Sequence, residues 1–164
     1  MTREYKFRGK RLDNGEWIYG YFHRYYNGTS FIAEYDMTTR QVKKETIGQF
    51  TGLHDCNGKE IYEGDIIRVS EYENILMREF NDAPDRFDLF TLDEIKGDLR
   101  QSYTSPVTWE EGSFCISTKG DWLHHNDMFL AVLFGDMKRS SPIFIFEVIG
   151  NIHDNPELLK GGNE

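Results

Sequence analysis

Residues 50–69 read FTGLHDCNGKEIYEGDIIRV, and this stretch decides the fold. Asn57 and Gly58 form a tight-turn signal, since a type I′ hairpin turn needs positive φ at both central positions and Asn-Gly tolerates it. Gly64 allows backbone geometry that other residues resist, and the Asp65 side chain can accept hydrogen bonds from nearby N–H groups. The apolar run that follows is typical of a strand entering a core. The stretch therefore predicts a structural corner of a β fold rather than an active-site loop.

The chain before this corner has the pattern of a β-meander. Two further Asn-Gly pairs, at residues 14–15 and 27–28, separate runs of alternating side chains. They predict three antiparallel strands joined by two type I′ hairpins. In the middle strand, alternate positions place one aromatic row on a single face, made of Trp17, Tyr19, Tyr21, His23 and Tyr25.

The pattern changes after Val69. Ser70 with Glu73, and Thr91 with Glu94, have the spacing of helix capping boxes, which predicts a partly helical insert at about residues 71–103. A strand that continues through Tyr72 is the alternative.

Strand signals return in the last third. Residues 105–117 predict a hairpin, residues 128–134 a buried strand, and residues 141–152 a strand in a central position, because apolar side chains occupy both of its faces. Asn155 and Pro156 suit the cap and first position of a short helical turn.

These signals define the expected fold class. We expect a mainly β protein with an antiparallel N-terminal meander (residues 1–50) and an SH3-like small β-barrel (residues 51–164) that carries the partly helical insert. The two parts are expected to form one compact unit, since 164 residues suit a single domain with a small appendage.

Composition limits the setting in which the protein works. Two cysteines do not make a disulfide framework, the N-terminal residues lack an apolar leader, and the longest apolar run is too short to span a bilayer. A cytoplasmic protein without membrane contact is expected. Charge is uneven: residues 1–50 hold nine Lys/Arg against six Asp/Glu (+3), and residues 51–164 hold ten against twenty-two (−12). The acidic part disfavours general binding to nucleic acid.

The meander carries the candidate binding residues. Basic side chains lie close in sequence to the aromatic row, which would suit single-stranded nucleic acid, or a protein interface, where Tyr, Trp and Arg are enriched. The aromatic row being the buried face of the sheet is the alternative. The candidate binding residues are Lys6, Arg8, Lys10, Tyr19, Tyr21 and Tyr25.

Catalytic and metal chemistry find little support. GxSxG, P-loop and HExxH patterns are absent from the sequence. His124 and His125, with Asp121 and Asp127, form one cluster of metal-ligand types, but adjacent histidines in a strand point to opposite faces. Cys56 follows Asp55, and nearby carboxylates disfavour a reactive thiolate. We expect no catalytic residue, no cofactor and no metal.

Three segments together resemble one family. KFRGK near the start, TGLHDCNGKEIYEGDIIRV in the middle and EVIGNIHDNPELL near the end are similar to the YopX family of small phage and prophage proteins. The resemblance implies a mostly β protein of a mobile element in a bacterial cytoplasm. It implies no activity and no catalytic residue, because no biochemical function is established for the family. Its motif residues are read as structural: Gly52, Asp55, Asn57, Gly58, Gly64, Asp65, Gly150 and Pro156.

The expected function is therefore binding. A non-enzymatic phage or prophage accessory protein would bind a host or phage protein, or a second copy of itself. The alternative is weak binding of single-stranded nucleic acid by the N-terminal sheet. A third hypothesis is a small enzyme or metalloprotein around His124–Asp127. The charge of residues 51–164 suggests a further hypothesis, that they imitate nucleic acid and block a host DNA-binding protein.

Overall fold

A computed structural model describes residues 5–73, 98–110, 112–117, 127–129 and 143–160. Within these ranges the chain forms antiparallel sheets and contains no α-helix, only short 3-10 turns at Lys44–Thr46 and Pro156–Leu159. The mainly β prediction is confirmed. None of the described helices has the length and apolar character needed to cross a membrane.

Residues 7–62 build a six-stranded sheet in the order β4-β3-β2-β1-β5-β6. Its strands are β1 (Phe7–Lys10), β2 (Trp17–Arg24), β3 (Ser30–Ala33), β4 (Thr39–Gln41), β5 (Gly48–His54) and β6 (Glu60–Tyr62). The predicted three-stranded meander is confirmed as β1, β2 and β3, with Arg8 opposite Tyr19 and His23 opposite Phe31. The expected division at residues 50 and 51 falls inside β5, which pairs with β1.

The hairpins form where Asn-Gly predicts them, but the turn type differs. Gly15, Gly28 and Gly58 have φ of 76°, 86° and 77°, whereas Met37 is the one non-glycine residue with positive φ in the described chain. The three asparagines therefore do not adopt the type I′ geometry. At Asp55–Lys59 the Gly58 N–H donates to the Asp55 carbonyl at 2.9 Å, and the Asp55 N–H donates to the Lys59 carbonyl at 2.8 Å. This pattern matches a three-residue loop with glycine in the left-handed position.

The rest of the described chain forms two three-stranded sheets, β12-β7-β8 and β11-β10-β9. Their strands are β7 (Asp65–Glu73), β8 (Asp98–Pro106), β9 (Thr108–Glu110), β10 (Ser113–Ser117), β11 (Asp127–Phe129) and β12 (Ile143–Asn151). The hairpin predicted at residues 105–117 is confirmed by Trp109 lying opposite Phe114. The described strands do not close into a barrel, so the SH3-like barrel is not confirmed. Turn signals specify hairpins, whereas closure depends on how distant strands meet.

The helical insert is wrong at both of its ends. Residues 70–73 continue β7 and residues 98–103 belong to β8, with Tyr72 opposite Leu99. The alternative, a strand through Tyr72, is confirmed. Ser70 and Glu71 are buried between β12 and β8, and pairing on both sides overrides the local capping signal. Residues 74–97, including the second capping box, lie outside the described residues, as do residues 130–134 of the strand predicted at 128–134.

The predicted central position belongs to β7 rather than β12. Among the described strands, β12 pairs only with β7, and the loop between β5 and β6 covers its other edge. The Cys56 N–H donates to the Phe146 carbonyl at 2.9 Å, and the Val148 N–H donates to the Asp55 carboxylate at 3.0 Å. The FTGLHDCNG segment thus covers a strand edge that would otherwise be open to pairing.

Two apolar clusters hold these sheets. The smaller lies on the inner face of the six-stranded sheet and comprises Ile18, Ile32 and Val42, with Phe7 and Ile47 beside them. The larger comprises Ile61, Ile67, Val69, Val107, Phe114, Ile116, Phe146 and Val148. Ile61 of β6 belongs to the larger cluster, so residues 48–62 connect the first sheet to the second core.

Candidate functional site

The outer face of the six-stranded sheet carries all the predicted binding residues. Side chains alternate along a strand. Ile18 and Ile32 therefore occupy the inner face, while the outer face carries basic and aromatic side chains. The predicted basic residues of this face are Lys6, Arg8 and Lys10, and the aromatic row runs beside them along β2.

At one end this face is covered, and Arg8 is at its centre. Arg8 is 6 % exposed and its Nη1 lies 2.6 Å from Oδ1 of Asp65, which is 1 % exposed. Its Nη2 donates to the Glu63 carbonyl at 3.2 Å, and its guanidinium lies 4.8 Å and 4.9 Å from the ring centroids of Trp17 and Tyr62. Asp65 also accepts the Tyr62 N–H at 2.8 Å. The guanidinium therefore links β1 to the corner between β6 and β7.

The two lysines are paired in the same way. Lys6 Nζ donates to both carboxylate oxygens of Glu60 at 2.7 Å. Lys10 forms an ion pair with Asp154, whose other oxygen accepts the Trp17 indole N–H at 2.6 Å. The hydrogen bond from Lys10 holds the pKa of Asp154 below its usual value. We call these three ion pairs the closed end: Lys6–Glu60, Arg8–Asp65 and Lys10–Asp154.

The ion pairs of the closed end argue against a role for the basic residues in binding phosphate groups. Each predicted cation is neutralised by a carboxylate of the same chain, and Arg8 is out of reach of solvent. Phosphate contacts would have to displace these partners. The structure brings the three basic residues together, but as contacts that join the first sheet to the rest of the molecule.

From Tyr19, which lies opposite Arg8, towards the far end of β2 the face is open and aromatic. Tyr19, Tyr21 and Tyr25 are 41 %, 53 % and 52 % exposed, so the alternative that they form a buried face is wrong. Phe31 and Tyr35 join them, although no periodic pattern predicts the position of Tyr35, which lies beyond the end of β3. We call this surface the aromatic stripe: Tyr19, Tyr21, His23, Tyr25, Phe31 and Tyr35.

Ring contacts order the aromatic stripe. His23 stacks on Phe31 with centroids 5.6 Å apart and an interplanar angle of 7°. Tyr25 meets Phe31 edge-on at 5.0 Å, and Tyr21 meets Tyr35 edge-on at 6.2 Å. Such pairs restrain side chains that would otherwise rotate freely. The surface is both apolar and preorganised.

A groove lies between the aromatic stripe and the closed end. It has a volume of about 510 Å³ and is open to solvent along one side. It is lined by Lys6, Trp17, Ile18, Tyr19, Glu34, Tyr35, Asp36 and Glu60.

The residues read as structural occupy turns and joints. Asp55 is buried and accepts the N–H groups of Asn57 at 2.9 Å, Lys59 at 2.8 Å and Val148 at 3.0 Å. Gly64 has φ of 80°, and its N–H donates to the Val107 carbonyl at 2.9 Å. Gly52 lies in β5 with φ of 87°.

The closing motif packs against itself at the C-terminal turn. A Cβ on Gly150 would lie 2.7 Å from Leu158 Cδ1 and 2.9 Å from Asn155 Oδ1, so a larger residue there would require these side chains to move. Pro156 begins the 3-10 turn as predicted, but the Asn155 side chain does not cap it.

The thiol and metal hypotheses concern other parts of the chain. Burial, with Asp55 and Glu147 close by, raises the pKa of Cys56 to about 11, so the thiol is protonated at neutral pH. Asp121, His124 and His125 lie outside the described residues. Asp127 belongs to β11. No group of three or more potential metal ligands occurs within the described part of the chain.

Fold and family can now be stated. The described residues define an all-β protein of antiparallel sheets whose open face is aromatic. The chain belongs to the YopX family, since the family model described as YopX protein matches residues 6–160. The search of curated proteins found no match.

A solved structure is also similar to this chain. It is the crystal structure of protein EF1440 from Enterococcus faecalis, with a TM-score of 0.44 and 20% sequence identity, covering 96% of this chain and 99% of that one. At this level of similarity it carries no argument about function.

Proposed function

We propose that this protein acts by binding another protein, without catalysis, and that the aromatic stripe is its interface. The exposure of the stripe tyrosines carries the proposal. A contiguous exposed apolar surface on a folded protein marks an interaction site more often than scattered apolar residues do, and tyrosine is among the residues that dominate interface energetics.

The biological setting is part of the same proposal. The YopX resemblance supports an accessory protein of a phage or prophage in a bacterial cytoplasm, with a host or phage protein as partner. A second copy of the chain is a further possible partner, since the outer strand β4 has no neighbour on its other side among the described strands. The non-enzymatic part rests on the sequence, which lacks the common catalytic motifs.

Single-stranded nucleic acid is the second candidate, and exposed tyrosines favour it as stacking platforms. The closed end argues against it, because the three cations expected to contact phosphates are already paired. The acidic groove adjacent to the stripe would also repel a phosphate backbone.

A pull-down from bacterial lysate, with and without nuclease, tests the proposal. The baits are the wild type, the double variant Tyr21→Ser/Tyr25→Ser, and Leu159→Ser, which removes an exposed apolar side chain from the C-terminal turn. We expect the wild type and Leu159→Ser each to capture one protein that resists nuclease treatment, in an amount close to that of the bait. The double variant should not capture it. Sedimentation of each bait alone reports self-association.

Three results would redirect the proposal. Recovery of nucleic acid that disappears with nuclease would support the second candidate. Equal capture by the double variant would show that the stripe is not the interface. A dimer that the double variant abolishes, with no other protein captured, would identify the partner as a second copy.

A further inference from the structure

The groove beside the aromatic stripe has a composition that selects its ligand. Three aromatic residues line it, Trp17, Tyr19 and Tyr35, and its charged lining residues are three acidic residues and one lysine. With all four ionised, the groove has a net charge of −2.

Two of the three carboxylates have partners that favour the charged form. The Lys6 ammonium pairs with Glu60. The Thr38 N–H donates to Asp36 at 2.8 Å and holds the pKa of Asp36 below its usual value. Glu34 lines the same groove. The net negative charge of the lining residues therefore repels an anionic ligand and attracts a cationic one.

Aromatic walls favour a flat cation over a compact one. A guanidinium stacks on aromatic faces and also donates in a planar fork to carboxylates, whereas an ammonium is a strongly hydrated point charge. The molecule uses this arrangement at the closed end, where the Arg8 guanidinium lies within 5 Å of the Trp17 and Tyr62 centroids and pairs with Asp65.

We propose that the groove binds an arginine side chain presented by the partner protein. The groove is open along one side and continuous with the aromatic stripe through Tyr19 and Tyr35, so a partner lying on the stripe can reach it. The inference rests on the proposed function, because the arginine belongs to the bound partner. It adds the chemistry that the partner must present.

The test needs no partner. The ¹⁵N-labelled full chain is titrated with the peptide acetyl-Gly-Gly-Arg-Gly-Gly-amide while two-dimensional NMR spectra record the indole and backbone N–H signals. We expect the Trp17 indole signal and the signals of residues 34–36 to shift. The Trp109 indole, which lies in β9 outside the groove, serves as an internal control. A peptide with citrulline in place of arginine has nearly the same shape without the charge. We expect it to bind at least about fivefold more weakly, a factor within the range for losing a cation from an aromatic wall.

Variants locate the site. Glu34→Gln and Asp36→Asn each remove one groove charge and should weaken the arginine peptide about two- to fivefold, as for an exposed ion pair. Tyr35→Ser should weaken it by a similar factor of about two to five, and Tyr35→Phe should restore the affinity, because the ring remains. Glu157→Gln removes an exposed carboxylate of the C-terminal turn, outside the groove, and should leave the affinity unchanged.

Several results would overturn the inference. These are equal binding of the citrulline peptide, equal binding of a lysine peptide, equal shifts at Trp109, unchanged affinity in Glu34→Gln and Asp36→Asn, or no shift up to the solubility of the peptide. Failure here would leave the stripe as an interface, since the pull-down with Tyr21→Ser/Tyr25→Ser tests that separately. Conversely, peptide binding that persists while no partner is captured would support the groove and not the proposed function.

Discussion

Arg8 and Tyr21 lie on neighbouring strands and the same face of one sheet, yet their surroundings are opposite. Arg8 is 6 % exposed and pairs with Asp65, whereas Tyr21 is 53 % exposed. The difference comes from what covers the sheet. The corner between β6 and β7 and the turn at residues 151–155 lie over the Arg8 end and supply its carboxylates, while none of the described residues covers Tyr21 and Tyr25 in this way. Basic and aromatic residues that are adjacent in sequence thus serve different purposes: the cations hold the molecule together and the tyrosines face solvent.

The largest effect is expected from a substitution that breaks the Arg8–Asp65 ion pair at the centre of the closed end. Arg8→Met leaves the buried Asp65 carboxylate without its counter-ion, and removing one member of a buried pair costs about 3–5 kcal/mol of unfolding free energy. Urea unfolding measures it. Arg68→Met is the matched control, because the Arg68–Glu147 pair has the same kind of contact at 2.8 Å with Arg68 48% exposed, and its loss should cost under about 1 kcal/mol. Equal losses of unfolding free energy in the two variants would mean that burial does not make the Arg8–Asp65 pair more stabilising than an exposed pair.

The second largest effect is expected where a buried carboxylate accepts hydrogen bonds from backbone N–H groups. Asp55→Ala leaves the N–H groups of Asn57, Lys59 and Val148 without their acceptor. Because unsatisfied buried groups each cost about 1–3 kcal/mol and water can relieve some of them, we expect a total of about 3 kcal/mol.

Asp13→Ala is the control for Asp55→Ala. Asp13 also accepts a backbone N–H, from Asn14 at 2.9 Å, but it is exposed. We expect the urea midpoint of Asp13→Ala to match that of the wild type, as for a surface substitution. A loss as large as that of Asp55→Ala would show that burial of the acceptor is not the cause.

A smaller effect concerns pH at the rim of the closed end. The Lys10 hydrogen bond lowers the pKa of Asp154 in the folded state, so the ionised carboxylate stabilises the fold above its unfolded pKa of about 3.9. This stability is lost as pH falls through the folded pKa. Since the Asp154 side chain is 39% exposed, the contribution should stay below about 1 kcal/mol. Urea midpoints between pH 6 and pH 3, followed by tryptophan fluorescence, should fall more for wild type than for Asp154→Asn. Identical pH profiles would contradict the assignment.

The smallest effect on stability belongs to the open end. Tyr21→Ser/Tyr25→Ser removes two exposed rings, and we expect a change in unfolding free energy of about 1 kcal/mol or less, from lost ring contacts. The same variant should abolish partner capture. A loss of several kcal/mol would mean that the stripe is structural, and the comparison between the two ends would fail.

Local sequence reasoning succeeded where the cause is local. Asn-Gly pairs located the hairpins because glycine alone readily takes a left-handed conformation there, although the asparagines keep negative φ and the turn type was wrong. The aromatic residues of the outer face were also found from alternation along β2. The helix prediction at Ser70–Glu73 failed because the pairing of β7 with both β12 and β8 outweighs a capping signal.

By itself the sequence determined the family, the mainly β class, the positions of the turns and which side chains share a strand face. Only the tertiary structure decided which part of that face is covered. Lys6 pairs with Glu60, Arg8 with Asp65 and Lys10 with Asp154, and no local pattern connects residues so far apart in the chain. Alternation along a strand fixes the direction of a side chain, whereas burial depends on the distant segment that packs against it. The division into a closed end and an aromatic stripe is therefore a property of the folded molecule.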